Sequence, residues 1–276
     1  AGMLSSGMQQ VEGLPFMLSE WIHVWPNEWG VEGPAIIGAY GLGLQGWDVS
    51  YMFQNYDQGG FSEALGWHRW DVAAPQVMGI FPAVARQVLR GDVQTAEMSA
   101  TLNVHAPSLF DGGGFDFVDQ VEQGYDDKVL QTDKVSPETL AVARVRVDFT
   151  DTLEPTKAFD LSEFRGAQGI RSSTGELLWK EAPDGVDQGG YFTIDSAGTQ
   201  AVVGFAEGVA HHGKHADITL RSHYGAVYVT ALGRDETLSD GDRWLVTAIA
   251  RARNTGQAFS ADEKELVAEG EAPILM

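Results

Sequence analysis

The 276-residue sequence predicts a chain of two characters, an α/β segment of strand–helix units followed by an antiparallel β region. Three observations predict it. Between residues 11 and 98, short apolar runs alternate with helical stretches. From Leu140 onward, β-patterns recur at intervals of about ten to fifteen residues with turn signals between them. Thirty-three glycines and eight tryptophans suit turns and aromatic loops better than a helical bundle. The expected division is residues 1–98 as the α/β part, 99–139 as a linker or inter-domain region, and 140–276 as a β-sandwich.

Leu14 to Trp21 reads as a buried strand. Gly33 to Gly43 reads as a glycine-rich helix with Pro34 at its start. Leu44 to Phe53 gives a second strand and its exit, followed by a polar loop from Gln54 to Ser62. Pro75 to Arg90 closes the unit as an amphipathic helix whose stripe is Val77, Ile80, Phe81, Val84 and Val88. In the middle region, Asp111 to Asp116 and Tyr125 to Asp127 read as loop. The later strands are expected at Val142–Phe149, Glu176–Lys180, Tyr191–Asp195, Ala201–Phe205, Asp217–Leu220, Ala226–Leu232 and Trp244–Arg253. Val145 to Phe149 alternates cleanly between core and water. Trp244 to Ile249 alternates less cleanly, as a central strand does, and the apolar run Ala272 to Met276 reads as a cut end or a strand that pairs elsewhere.

Composition narrows the function classes. Hydrophobic residues make up 43% of the chain, enough to bury a core. A formal charge of −21 repels phosphate backbones, so nucleic acid is not an expected partner. The chain has no cysteine, hence no disulfide, thiol nucleophile or thiolate metal site. No apolar run reaches the length of a membrane span, and the first residues lack the basic and apolar regions of a signal peptide.

The residue with the clearest chemical signal is Glu20. It ends the run Pro15-Phe16-Met17-Leu18-Ser19-Glu20-Trp21 and precedes the aromatic loop His23-Val24-Trp25-Pro26-Asn27-Glu28-Trp29. A carboxylate at the C-terminal end of a strand, ringed by indoles, suits sugar recognition and glycosyl transfer. Trp21, Trp25, Trp29 and Trp47 can stack on pyranose rings or pack an interface. His23 can bond a sugar hydroxyl or serve the structure, while Trp67, His68 and Trp70 pack a helix entry. His211, His212 and His215 have a metal-like spacing, but with Lys214 among them and no companion glutamate they read as a solvated loop, and no metal is expected there. Asp111, Asp116 and Asp119 depart from the EF-hand ligand order, which leaves calcium as the single weakly signalled cofactor. No G-x-S-x-G elbow and no phosphate loop is present.

Phe16-Met17-Leu18-Ser19-Glu20, Gln45-Gly46-Trp47-Asp48, Gly190 to Asp195 and Leu245 to Gly256 together resemble the C-terminal portion of the retaining (β/α)8-barrel glycoside hydrolases of clan A. The resemblance implies the last two strand–helix units of a barrel, an appended β-sandwich, and a bacterial enzyme, secreted or periplasmic, acting on β-linked glycans. It makes Glu20 the nucleophile after barrel strand seven and places Trp47 in the sugar subsite after strand eight. Trp21, His23, Trp25 and Asp48 join Trp47 as substrate-binding residues.

The sequence also departs from that pattern. The acid/base glutamate of the family follows strand four, usually after an asparagine, and the strands that would carry it are not in this sequence. Asn27-Glu28 has the right letters in the wrong loop. A retaining mechanism needs a second carboxylate about 5 Å from the first, so Glu28, Glu32, Asp48 and Asp57 stand as candidates for it. The chain is therefore expected to be a C-terminal fragment, or a subunit whose barrel closes by homo-oligomerisation, four copies giving eight strands. The alternative function is a non-catalytic carbohydrate-binding or assembly module.

Overall fold

The computed structural model describes residues 4–22, 30–54, 72, 75–112, 120–123, 128–183, 189–261 and 265–271. After a 3-10 helix at Leu4–Gln9 come β1 (Met17–Trp21), α1 (Glu32–Ile36), which runs on as a π-helix over Ile37–Leu44, β2 (Val49–Met52), α2 (Pro75–Met78) and α3 (Phe81–Arg90). The expected order of strand, helix, strand, helix is present, with the last helix broken in two at Gly79–Ile80. β1 and β2 pair in parallel, as a helical crossover requires.

The glycines of the first helix are there for close approach. A Cβ on Gly38 would lie 2.6 Å from Val84 Cγ1, and one on Gly41 would lie 2.6 Å from the Trp47 ring. The helix is thus walled by α3 on one side and an indole on another, and Ile37, Ala39, Tyr40 and Leu44 complete its burial. In α3, Pro82 sits in the first turn, where its missing N–H costs nothing, and Gly91 ends the helix with φ 65°. Of the expected stripe, Val77, Ile80 and Val84 are buried.

The middle region holds β3 (Ser99–His105), α4 (Ala106–Phe110), β4 (Gln120–Gln123), β5 (Lys128–Gln131) and a 3-10 turn at Pro137–Ala141 before β6 (Arg144–Thr150). β6 was expected to open the antiparallel region. Instead it pairs in parallel with β3 from Ser99↔Arg144 to His105↔Thr150, while Val11 bridges to Val147. Alternation in β6 fixes which side chains face inward but says nothing about strand direction. Gln45, fully buried at the end of the π-helix, holds this sheet to the helix: its amide donates to the Leu140 and Ala143 carbonyls (2.8 and 2.6 Å) and accepts from the Val145 N–H (3.0 Å).

The remaining strands are β7 (Arg165–Gly166), β8 (Gly169–Arg171), β9 (Leu177–Lys180), β10 (Tyr191–Asp195), β11 (Thr199–Gly204), β12 (Ala210–His212), β13 (Asp217–Thr219), β14 (Gly225–Ala231), β15 (Trp244–Ile249), β16 (Ala258–Phe259) and β17 (Leu266–Ala268). Seven of them form one antiparallel sheet in the order β15-β14-β11-β10-β9-β8-β7. The strand positions match the expectation closely, but a sandwich would set a second sheet across the core. Here Phe192, Ile194, Ala201, Val203, Ala226 and Tyr228 face the helices, in one hydrophobic core with Tyr40, Ile80 and Val84. Tyr40 meets Trp179 and Phe192 edge-on, with ring centroids 5.2 and 5.5 Å away. The other face is covered locally: Val202, Val229 and Ala231 share a smaller cluster with Ile218 of the β12–β13 hairpin and with Leu220 just after it. β15, read as a central strand, lies at the edge of the sheet among the described residues.

The end of α3 is riveted to the β14–β15 connection. Arg86 donates to the Ala231 carbonyl (2.9 Å) and to that of Leu232; Arg90 donates to the carbonyls of Ala231 (3.0 Å), Gly233 and Glu236. Arg90 also pairs with Asp92 at 3.0 Å, and Asp92 accepts from Thr199 Oγ1 at 2.7 Å.

Candidate functional site

The C-terminal end of the β1–β2 pair is where the sequence places its chemistry, and Glu20 reaches it by an irregularity. Met17 pairs with Val49 and Leu18 with Ser50, but Trp21 pairs with Met52, so three steps on β1 oppose two on β2. This bulge shifts the alternation: Leu18 and Trp21 are buried while Ser19 and Glu20 are both exposed. Without the extra residue, Glu20 would share Leu18's face and point into the core, because a one-residue slip exchanges the faces of a strand. The carboxylate is turned to solvent on the side opposite Leu18 and Trp21.

Trp21 anchors this end. It is 6% exposed, its indole Nε1 donates to Ser50 Oγ at 2.8 Å, and its carbonyl accepts from the Phe53 N–H at 2.8 Å. Its ring faces the core and leaves the outer side to others. Since Leu18 and Ser50 are neighbours on the inner face, Val49 and Tyr51 point outward. Tyr51 is 58% exposed and Met17 55%, so the face that carries Glu20 also carries an aromatic and a thioether. The sequence reading missed Tyr51 and Ser50; alternation counted from Val49 would have found both.

Trp47 and Asp48 stand elsewhere. Trp47 is 4% exposed, packs on Phe16 with ring centroids 5.0 Å apart, and closes over Gly7 and Gly41. It is a core side chain, with no open face to floor a subsite. Asp48 precedes β2, and its Oδ2 accepts the Phe16 N–H at 2.9 Å, which ties down the entry to β1. That backbone contact occupies one oxygen of the Asp48 carboxylate. His23, Trp25, Glu28, Trp29, Asp57, Trp67, His68 and Trp70 lie outside the described residues, as do Asp116 and Asp119. So does the side chain of Glu32.

The histidine cluster divides by environment. His212 Nδ1 lies 3.0 Å from Asp217 Oδ1, across the exposed β12–β13 hairpin. His211 stands edge-on to Tyr191, and its pKa is lowered first by burial and then by the neighbouring His212. Among the described residues, no group of three or more histidines, cysteines or carboxylates is placed to hold a metal ion. No helix among them is long and apolar enough to cross a membrane.

Comparison with protein-family models, with curated proteins and with solved structures finds no match to this chain.

Proposed function

We propose that the β1–β2 end is the nucleophile side of a retaining glycoside hydrolase site acting on β-linked glycans, with Glu20 as the nucleophile. One observation carries the reading: a bulge placed at Ser19–Glu20 brings a carboxylate out of the core at the C-terminal end of a parallel strand, where α/β folds put their chemistry. Tyr51, on the same face, offers a ring edge and a hydroxyl to a sugar. On this reading Trp21 positions the strand end rather than stacking on substrate, and Trp47 and Asp48 serve the scaffold. His23 and Trp25 keep their proposed substrate-binding roles, and Glu28 stays a candidate second carboxylate. Parallel strands are normally covered on both faces. The face bearing Met17, Glu20 and Tyr51 would then be completed by further strands, from other copies or from another segment, and these would also bring an acid/base.

The nucleophile can be tested without that second carboxylate. A dinitrophenyl 2-deoxy-2-fluoro-β-glycoside has a leaving group that departs unprotonated and forms a long-lived glycosyl–enzyme ester. Peptide mapping of the treated protein should place the added sugar on Glu20 and find none in Glu20→Gln. Saturable glycan binding that survives Glu20→Gln, with no covalent labelling, would instead make the chain a carbohydrate-binding module.

A further inference from the structure

β15 breaks a rule that sheet edges usually obey. It is six residues long, Trp244-Leu245-Val246-Thr247-Ala248-Ile249, carries no charge and no proline, and pairs without a bulge to β14 along its whole length. Among the described residues its other edge meets no strand. Trp244 is 49% exposed and Val246 64%, on the same face as Ala248. Edge strands are ordinarily protected by lysine, proline, bulges or a cover, because a bare apolar edge recruits another strand.

We propose that β15 is a self-complementary dimerisation strand: two copies pair their β15 edges antiparallel about a twofold axis through Val246, joining two seven-stranded sheets into one. A twofold axis normal to the sheet keeps outward faces together, so partners must have equal parity. The Val246-centred register sets Trp244 of each copy across from Ala248 of the other, a large side chain beside a small one, with Val246 against Val246. Centring on Thr247 would instead put Arg243 across from Arg251, a like-charge contact that costs stability. In the Val246-centred register no two charged residues stand directly opposite, since Arg243 faces Ile249 and Arg251 faces Gly241. The chain carries −21 overall, yet residues 243–261 contain three arginines and no carboxylate, so two copies can meet along this strip without opposing acidic groups. Edges of this length bury less than a standard interface, and dissociation in the micromolar range is expected.

The absence of cysteine makes the register directly testable. Light scattering of the intact chain from about 1 to 100 µM, the range set by the expected affinity, should show mass rising from 29.9 kDa toward twice that value. Val246→Lys, which places two ammonium groups on the axis, should hold it at 29.9 kDa with an unchanged unfolding midpoint. Under mild oxidation Val246→Cys should cross-link with itself, since directly opposed strand residues lie within disulfide range. Ala248→Cys should cross-link with Trp244→Cys and not with itself. A monomeric mass at the highest concentration, a dimer that survives Val246→Lys, or Ala248→Cys joining itself as fast as Val246→Cys would each overturn the proposal. Glycosyl labelling of Glu20 is a separate readout, unaffected by the state of this edge.

Discussion

The seven-stranded sheet and the β1–β2 pair rest on the same helices and share one core, yet they differ in what covers their other side. The large sheet is held at both faces, by α1 and α3 on one and by the β12–β13 hairpin on part of the other. β1–β2 buries Leu18 and Trp21 inward and leaves Met17, Glu20 and Tyr51 in solvent. The difference separates two kinds of work. Rigid, closely packed strands set the position of the helices; the helices set β1, and β1 spends a bulge to present one carboxylate. Stability should reside in the first region and be nearly indifferent to the residues exposed on the second.

The hardest test of that division is Arg90→Ala. Arg90 binds three carbonyls and Asp92, and both side chains of the ion pair are at least nine-tenths buried. Removing it strands a buried carboxylate, so a loss of about 3–5 kcal/mol is expected in urea unfolding. A loss below about 1 kcal/mol, the size of an ordinary surface pair, would show that the sheet is not what fixes α3. Next in size is Gly41→Ala. Its methyl would meet the Trp47 ring at 2.6 Å, and overpacking of this kind costs about 1–3 kcal/mol. A neutral result would mean that Trp47 is free to move, and would reopen its role as a sugar platform.

Much of the scaffold was legible in the sequence because alternation is a local property. Tyr191–Asp195 and Ala226–Leu232 announce their strands residue by residue. Partners are not local. Val145 and Val147 face inward whether β6 pairs parallel or antiparallel, and β3 went unread although Ala100, Leu102 and Val104 alternate cleanly, because the glycine-rich stretch after it suggested a linker. The site was legible only in part. Glu20 stood out by type and place, but its exposure depends on a register shift set by β2. Indoles suit cores and clefts equally, so sequence could not show that Trp21 and Trp47 turn inward while Tyr51 turns out.

A smaller effect of opposite sign is expected at Tyr40. Its hydroxyl is buried in the helix–sheet core with no hydrogen-bond partner among the described residues, and burial, with Tyr228 nearby, raises its pKa well above the usual tyrosine value. Tyr40→Phe keeps the ring contacts with Trp179 and Phe192 and removes the orphaned group. A gain of about 1 kcal/mol is expected, seen as a melting temperature higher by about 2–4 °C. A destabilised variant would place an unseen partner at that hydroxyl.

The smallest effect on stability should come from the residue with the largest effect on chemistry. The Glu20 carboxylate is exposed and makes no hydrogen bond or ion pair with the described residues, and the bulge that presents it is a backbone feature that glutamine preserves. Glu20→Gln should therefore unfold within about 0.5 kcal/mol of the parent, while the fluoroglycoside label is lost completely. The two readouts must diverge for the division between scaffold and site to hold. If Glu20→Gln instead costs more than about 2 kcal/mol, the cost expected when a specific structural role is lost, the carboxylate is part of the scaffold. The bulge then serves the junction of β1 with its neighbours, and the chemistry lies elsewhere on the chain.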